Sequence, residues 1–138
     1  FKHIKKPCIA LDAGFYIPSL NGFPKAYVNF ALDTVGIDGI LKLVEGEDRS
    51  CEFRDAIAYL DETVDEPIYF ETITKGVLSD KPRGELHKNS WSVLHKIFIP
   101  EGQSQTMSEM SKEEKDSWHE SREDEWCGKQ FAKWIVKR

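Results

Sequence analysis

Two strand-like segments joined by a short polar connection constrain the fold of this chain more than any other feature. The first runs from Ser50 to Leu60 and has a polar first half and an apolar second half. The second runs from Ile68 to Thr74 (IYFETIT) and is rich in β-branched and aromatic residues, which favour strands. Because the connection between them (DETVDEP) is short and polar, the two segments predict an antiparallel hairpin.

Further strands are predicted on both sides of the hairpin. Pro7 to Asp12 (PCIALD) is a short apolar run followed by the small residues Ala13 and Gly14, so it predicts a buried strand and then a loop that extends to Pro24. On the other side, Lys96 to Ile99 (KIFI) predicts another strand, which ends before a proline. The sheet is therefore built from segments that lie far apart in the sequence.

Two short helices are predicted between the first strand and the hairpin. Pro24 suits the first turn of one helix, which ends near Gly36. Asp38 is placed to cap a second helix from Gly39 to Val44. Two helices therefore follow the first strand.

The C-terminal third predicts helices on stronger signals. Ser111 to Glu114 (SKEE) matches the capping box, in which a serine hydroxyl and a glutamate side chain each satisfy a free amide at a helix start. Further on, four residues share one apolar helical stripe: Cys127, Phe131, Trp134 and Ile135. The order of elements predicts a mixed α+β fold of the α/β kind, with a central mixed sheet flanked by helices, in a single domain covering residues 1–138.

Composition narrows the class of partner. With 138 residues the chain supports one hydrophobic core. The formal net charge of −5 argues against a general nucleic-acid or anionic-membrane binder, and no apolar stretch approaches a membrane span. Three widely spaced cysteines without a CxxC pair favour reduced thiols and a cytoplasmic location: Cys8, Cys51 and Cys127.

Asp12 is the best single candidate for chemistry. An acid at the carboxyl end of a buried strand, beside small residues, lies where α/β folds place ligands and metals. Because Mg²⁺ commonly takes one or two carboxylates together with water and substrate phosphates, Asp12 is a candidate ligand for magnesium or for an activated water. The alternative is a structural aspartate at the strand end that accepts hydrogen bonds from loop amides.

Other chemistries find little support in the sequence. The four histidines show no zinc-ligand spacing, and the serines and cysteines lie in no nucleophile motif. Trp118, Trp126 and Trp134 are spaced by eight residues, which on one helix displaces successive members by about 80°. We therefore expect core packing or an oligomer interface for these tryptophans, and a solvated helix surface for the charged run from Lys112 to Glu125.

Six ordered segments resemble the inosine triphosphate pyrophosphatase family, which removes non-standard purine nucleoside triphosphates from the nucleotide pool. They match in order and spacing across nearly the whole chain: LDAG (Leu11 to Gly14), SLNGFPKAY (Ser19 to Tyr27), GILKLVEGEDRSCEFRDAIAYLD, KPRGE, IFIPEG (Ile97 to Gly102) and TMSEMSKEEK (Thr106 to Lys115). The resemblance implies the fold of that family, a purine nucleotide ligand, a homodimer and a Mg²⁺ cofactor. It also implies hydrolysis of the triphosphate to a monophosphate and pyrophosphate.

The same resemblance implies roles for particular residues. Asp12 matches the family's general base and metal ligand, and Lys115 matches its substrate-binding lysine. His119 and Arg122 lie near the family's S-H-R segment, each one place out of register, and are candidate substrate-binding residues. One residue on a helix is a turn of about 100°, so a displaced neighbour need not take over the role.

Several positions depart from the family pattern. Leu11 stands in place of the first acid of the family's carboxylate pair, and Ala13 in place of a substrate-contacting hydroxyl residue. The family's F-G-Y-D segment aligns with Ser92 to His95, where no residue matches. The family's opening strand, phosphate-binding loop and upstream metal-binding glutamate have no counterpart, so the chain is expected to be either a fragment or a divergent relative.

These departures lead to one main expectation and two alternatives. We expect a catalytically degenerate family member that acts as a ligand-binding or dimeric assembly module, in which a partner copy or the arm from Phe1 to Lys6 covers an exposed sheet edge. The first alternative is active Mg²⁺-dependent hydrolysis of ITP, XTP or dITP. The second is a different phosphate-ester chemistry in a remodelled pocket around Asp12, His95 and His119.

Overall fold

The sheet is formed by five strands in a computed structural model that describes residues 3–88 and 90–138. The strands are β1 (Cys8–Tyr16), β2 (Pro24–Lys25), β3 (Ser50–Leu60), β4 (Ile68–Leu78) and β5 (Phe98–Pro100). The helices are α1 (Val28–Thr34), α2 (Gly36–Leu43), α3 (Lys112–Ser121) and α4 (Cys127–Val136). Helices and strands thus combine in one α+β fold, as predicted.

The predicted hairpin is the centre of the sheet. β3 and β4 pair antiparallel from Ser50 opposite Val77 to Tyr59 opposite Ile68. The strand order is β2-β1-β3-β4-β5, and the pairings between these strands are all antiparallel. The expected mixed sheet is therefore an antiparallel one, because the helices between β2 and β3 return the chain antiparallel to β1 rather than parallel to it.

β1 is longer than the sequence predicts, and this changes the position of Asp12. The strand was expected to end at Asp12, but it continues through Ala13 and Gly14 to Tyr16. Ala13 pairs with Asp55 and Gly14 pairs with Arg54, so hydrogen bonds between the strands outweigh the turn preference of these small residues. Asp12 lies in the middle of a strand and not at the start of a loop.

The two N-terminal helices exist, but their predicted starts are wrong. Pro24 belongs to β2, and α1 begins at Val28. Gly36 adopts a positive φ of 66° at the break between the helices, a conformation that glycine adopts at little cost. α2 therefore starts at Gly36, and Asp38 lies in its first turn without a side-chain capping bond.

The C-terminal predictions hold more closely. The Ser111 hydroxyl accepts a hydrogen bond of 3.1 Å from the Glu114 amide and caps α3. The third predicted strand is shifted to Phe98–Pro100, because Val93–Lys96 forms a 3-10 turn instead. The polar loop before that turn includes Asn89, which lies outside the described residues. α4 begins at the residue where the predicted apolar stripe begins.

The sheet has two unlike faces. Alternation along the strands places Phe15, Phe53 and Thr74 on the face that packs against α2, α3 and α4, which we call the covered face. Asp12 and Arg54 lie on the other side, which we call the open face. The core is on the covered face, where Phe53 lies 4.8 Å from Phe15 and 4.7 Å from Phe98 between ring centres.

One edge of β1 has no strand beside it among the described residues. β2 pairs only with Phe15 and Tyr16, so the preceding part of β1 has β3 as its single neighbour. Ile9 is 54% exposed and Leu11 78% exposed on this part of the strand. The expected covering arm begins with two residues outside the described part of the chain, and His3 to Lys6 form no strand.

No helix in the described residues is long and apolar enough to cross a membrane. The three cysteines are free thiols, of which Cys51 and Cys127 are buried.

Candidate functional site

A cavity of about 500 Å³ opens on the covered face, between the sheet and the chain around α3. Trp91, Trp118 and Trp126 line its walls. Asp55 and Thr72 line it from the sheet. We call this space the aromatic cavity. It offers flat apolar surfaces for stacking together with a few polar groups, the combination typical of a small-molecule site.

The tryptophans reach this cavity because the C-terminal region is not one helix. A 3-10 turn at Glu123–Glu125 separates α3 from α4, so Trp118 and Trp126 meet in one cavity although a continuous helix would set them apart. Trp134 instead packs against Tyr59, 5.3 Å away between ring centres. The expectation of core packing therefore fits Trp134, while the other two tryptophans line a cavity.

Thr72 fixes the turn that carries Trp126. Its hydroxyl donates to the carbonyl of Glu125 at 3.1 Å and accepts a hydrogen bond from the Cys127 amide at 2.6 Å. These bonds connect β4 to both sides of the turn. The wall of the aromatic cavity is thus held by the sheet.

A second cavity of about 440 Å³ adjoins the first and is lined by three lysines and three histidines. We call it the basic cavity. The two cavities share Trp91, Met107 and His119. The cationic and titratable side chains in the lining of the basic cavity are His87, Lys88, His95, Lys112, Lys115 and His119. Asp116 is the single acidic side chain in that described lining, so the cavity is suited to acceptor-rich or anionic ligands.

α3 supplies three basic side chains of this cavity, of which Lys115 and His119 are predicted substrate-binding residues. Lys112, Lys115 and His119 lie at helical positions i, i+3 and i+7, so they share one face of the helix. Burial lowers the pKa of the Lys115 ammonium. Burial also lowers the pKa of His119, although the nearby Asp116 carboxylate raises it. The structure therefore brings Lys115 and His119 together on one wall, and their binding of substrate stays a prediction.

Arg122 lies in the wall of the aromatic cavity with its donors engaged. Its guanidinium donates to the Thr74 hydroxyl at 3.0 Å and to the Ile73 carbonyl at 3.1 Å, and pairs with Glu125 at 3.2 Å. It also lies 5.0 Å from the centre of the Trp118 ring. These contacts hold the end of α3 on the sheet, and substrate binding by Arg122 stays a prediction.

Asp55 is a further candidate site residue, which the motifs in the sequence do not indicate. It lines the aromatic cavity between Ala13 on β1 and Thr72 on β4, and burial raises the pKa of its carboxyl. The signal was present in the sequence, because strand alternation places Asp55 on the same face as Phe53. An acid with a raised pKa in a cavity is a candidate hydrogen-bonding group for a ligand.

Asp12 and Lys115 do not meet. Ala13 lines the aromatic cavity, and adjacent residues of a strand face opposite sides, so Asp12 lies on the open face. One carboxylate oxygen of Asp12 accepts the Ala13 amide at 3.0 Å. Asp12 is thus exposed on the sheet surface opposite both cavities, and its catalytic role stays a prediction.

The described residues supply only part of a magnesium site. Within residues 3–88 and 90–138 there is no group of three or more His, Cys, Asp or Glu side chains placed to hold a metal ion. Along the open face the next acid in register with Asp12 is Glu71, and Ala56 of β3 lies between them. Asp12 therefore fits a Mg²⁺ ion only as one carboxylate beside water and substrate oxygens.

Comparison with known proteins gives consistent matches. The sequence model of the Ham1 family matches residues 1–123. The dITP/XTP pyrophosphatase of Saccharolobus solfataricus is 40% identical over 115 residues, which cover 83% of this chain and 57% of that protein. The dITP/XTP pyrophosphatase of Methanopyrus kandleri is 40% identical over 111 residues, covering 80% and 56%. The chain thus spans somewhat more than half the length of these relatives.

Solved structures agree with the sequence matches. The nucleoside-triphosphatase / dITP/XTP pyrophosphatase of Mycobacterium abscessus superposes with a TM-score of 0.72 at 26% identity, covering 87% of this chain and 65% of that one. The Staphylococcus aureus Ham1 protein gives a TM-score of 0.69 at 27% identity, covering 83% and 60%. Both likenesses therefore extend over more than four fifths of this chain.

Proposed function

The chain belongs to the Ham1 family, and from that membership we propose that it binds a non-standard purine nucleoside triphosphate in the two adjoining cavities and acts in its hydrolysis to monophosphate and pyrophosphate. One observation carries the proposal: an aromatic cavity and a basic cavity share a wall at Trp91 and His119. Indole faces stack on purine rings, and ammonium and imidazole groups donate to the acceptor oxygens of a nucleotide.

The proposed substrates are inferred from the names of the relatives. Those that match this chain are named dITP/XTP pyrophosphatases, which supports the active alternative more than catalytic degeneracy. We propose dITP, XTP and ITP as substrates. The donors of Lys115 and His119 are suited to the oxo groups and phosphates of these nucleotides.

Hydrolysis adds requirements that binding does not have. Mg²⁺, when bound with the nucleotide, would neutralise charge on the phosphates and on the leaving pyrophosphate. Asp12 would hold or orient a water with its second carboxylate oxygen, since the first accepts the Ala13 amide. Because Asp12 lies on the open face, the phosphates of a nucleotide in the cavities must extend past the edge of β1 to approach it.

A second candidate function is nucleotide binding without turnover. The observation that favours it is the separation of Asp12 from Lys115 by the sheet. In that case the cavities retain their ligand, and Asp12 is a surface residue of β1. The two candidates differ in product formation and not in affinity.

The experiment that separates them measures pyrophosphate release and nucleotide binding on the same samples. ITP, XTP, dITP and, as a control, ATP are assayed with Mg²⁺, for the wild type and for Asp12→Asn. Hydrolysis predicts turnover of the first three nucleotides that falls at least about 100-fold in Asp12→Asn with binding retained. Tight binding of ITP without pyrophosphate release establishes the second candidate, and the absence of both binding and release contradicts the proposal.

We also propose that a second copy of the chain covers the open edge of β1 at Ile9 and Leu11, while the edge beside Ala13 stays free for the phosphates. An unpaired strand edge with exposed Ile9 and Leu11 favours association with another strand. Light scattering at micromolar concentration is then expected to give the mass of a dimer, and Leu11→Lys to give a monomer. Tyr69→Lys, at an exposed position on the open face, serves as the control. A monomeric wild type contradicts the proposal.

We propose a reducing, cytoplasmic location as well. Cys51 and Cys127 are buried free thiols, and burial raises the pKa of Cys51, which makes that thiol unreactive. Fractionation of cells that express the protein tests this location, and recovery of the protein from an oxidising compartment contradicts it.

A further inference from the structure

His95 is a buried histidine whose ring nitrogens have no hydrogen-bond partner in the described part of the chain. The residue is 3% exposed, and neither Nδ1 nor Nε2 bonds to another described residue. Buried polar atoms are normally satisfied, so an unpartnered imidazole needs an explanation. His95 also lies in the lining of the basic cavity, which gives its ring access to a ligand.

The backbone holds His95 in this place. It belongs to the 3-10 turn Val93–Lys96, which begins where the Ser92 hydroxyl accepts the Leu94 amide at 3.1 Å. The His95 carbonyl accepts the Ser108 amide at 2.9 Å, and the Trp91 ring stands nearly perpendicular to the imidazole at 4.8 Å. The imidazole is therefore positioned by its neighbours before any ligand binds.

The groups around His95 are mostly basic. Burial lowers the pKa of His95 to about 4, and the charges of Lys115 and His119 on α3 act in the same direction. His87 lies in the preceding loop, where its Nε2 is 3.3 Å from the Ser108 carbonyl. Asp116 is the acid of the described lining. At neutral pH His95 is uncharged, and a neutral imidazole carries one N–H donor and one acceptor nitrogen.

We propose that His95 is a ligand-binding residue of the basic cavity, where it donates its imidazole N–H to an acceptor oxygen of the bound nucleotide. The proposal rests on the proposed function, because the ligand is the nucleotide named there. An acceptor oxygen would satisfy the imidazole N–H and would also face the ammonium of Lys115.

Two parts of a nucleotide carry such an oxygen: the carbonyl of an oxopurine and a phosphate. Both oxygens accept a hydrogen bond from His95, but they differ in their effect on the protonation of its imidazole. A neutral carbonyl leaves His95 uncharged, whereas a phosphate favours the imidazolium and causes proton uptake on binding. Inosine, which has no phosphate, and inorganic pyrophosphate, which has no base, are therefore the probes for the two sources.

The test follows the imidazole directly by NMR on protein with ¹⁵N-labelled histidine. The His95 signals are assigned by their loss in His95→Gln. We expect them to shift on addition of one probe, inosine or pyrophosphate, and on addition of ITP to the wild type. Calorimetry at pH 6 in two buffers of different ionisation enthalpy then compares the wild type with His95→Gln. Proton uptake that is larger in the wild type is expected if pyrophosphate is the active probe, and no difference in proton uptake is expected if inosine is.

Affinity gives the second readout. His95→Leu removes the donor and is expected to weaken binding of that probe about fivefold, while His95→Gln, which keeps an N–H donor, restores most of the affinity. His3→Ala, outside both cavities, is the control. The wild-type NMR shift stands even if His95→Leu fails to fold.

Failure of the inference and failure of the proposed function give different results. If ITP binds the wild type while the His95 signals stay unchanged with ITP, inosine and pyrophosphate, His95 has only a structural role and the inference is overturned. If ITP does not bind the wild type at all, the proposed function itself is wrong.

Discussion

The two faces of the sheet divide the chemistry of this protein. The covered face carries Phe53, Asp55 and Thr72 beneath the helices and opens into the aromatic cavity, which the basic cavity adjoins. The open face carries Asp12 and exposed charged side chains such as Arg54. Both faces belong to the same strands, whose successive residues alternate between the two faces. The candidate ligand-binding groups thus lie on one side, and the acid implied by the family resemblance lies on the other.

Because the two faces are separate, nucleotide binding and nucleotide hydrolysis can be tested separately. In the proposed function, affinity for the nucleotide depends on the covered face and the cavities beside it, whereas turnover depends on whether the phosphates reach Asp12 past the edge of β1. A substitution on the covered side and a matched one on the open face are therefore expected to have different effects.

The largest difference is expected for aromatic side chains. Phe53 is 6% exposed and packs against Phe15, Trp91 and Phe98, whereas Tyr69 is 64% exposed on the open face. We expect Phe53→Ala to lower the free energy of unfolding by about 3–5 kcal/mol and Tyr69→Ala by less than about 1 kcal/mol. Urea denaturation measures both. Equal losses would mean that the open face is also packed in solution.

The arginines give the next comparison. Arg122 connects α3 to Thr74 and Ile73 of β4 and pairs with Glu125, while Arg54 pairs with Glu52 on the exposed surface. Arg122→Gln is expected to cost about 1–3 kcal/mol of unfolding free energy, and Arg54→Gln less than about 1 kcal/mol. Thermal and urea unfolding measure both variants. An unchanged Arg122→Gln variant would show that α3 is held by its apolar contacts alone.

Two lysines test nucleotide affinity. Lys115 lines the basic cavity, and Lys75 is exposed on the open face. Lys115→Ala is expected to weaken ITP binding about tenfold, because a charged donor to the ligand is lost, and Lys75→Ala to leave it within about twofold. Calorimetric titration measures both. A larger loss for Lys75→Ala would place the nucleotide on the open face.

The pH dependence of stability gives the smallest expected effect. His95 has a pKa of about 4 in the folded protein and an ordinary value of 6.5 when unfolded, so between these values the unfolded state binds the extra proton. Stability is therefore complete above pH 6.5 and falls as the pH drops towards 4. His119 contributes in the same direction because burial lowers its pKa too. Asp12, on the open face, is the matched position for comparison.

Urea midpoints at pH 7.5 and pH 5 measure this effect. We expect the midpoint of the wild type to fall between the two values, and the fall to be smaller in His95→Gln, in which one of the two histidines no longer titrates. Asp12→Asn is expected to keep the full fall of the wild type. An equal fall in His95→Gln and the wild type would show that His95 is not buried in its neutral form.

The hairpin could be predicted from the sequence because strand alternation and a short connection are local signals. Ser50–Leu60 was predicted with the bounds that β3 has. The capping box at Ser111 likewise depends only on residues within one helical turn. Such elements need no knowledge of their tertiary neighbours.

The position of Asp12 and the site on the covered face could not be predicted in the same way. Small residues after Asp12 indicate a loop locally, but pairing with β3 extends the strand through them. The aromatic cavity joins Phe53, Trp91 and Trp118, which are distant in the sequence. The sequence marks His95 as a mismatch to the family and as part of an alternative pocket with Asp12 and His119. Its burial and unpartnered nitrogens depend on the tertiary structure and could not be predicted.

The most direct test of the central claim, that the covered face binds the nucleotide, is side-chain NMR during a titration with ITP. The indole N–H signals of Trp91 and Trp118 are expected to shift with a common saturation curve, while the Nε–H signal of Arg54 on the open face stays unchanged. A shift of the Arg54 signal without a change at the two tryptophans would contradict it.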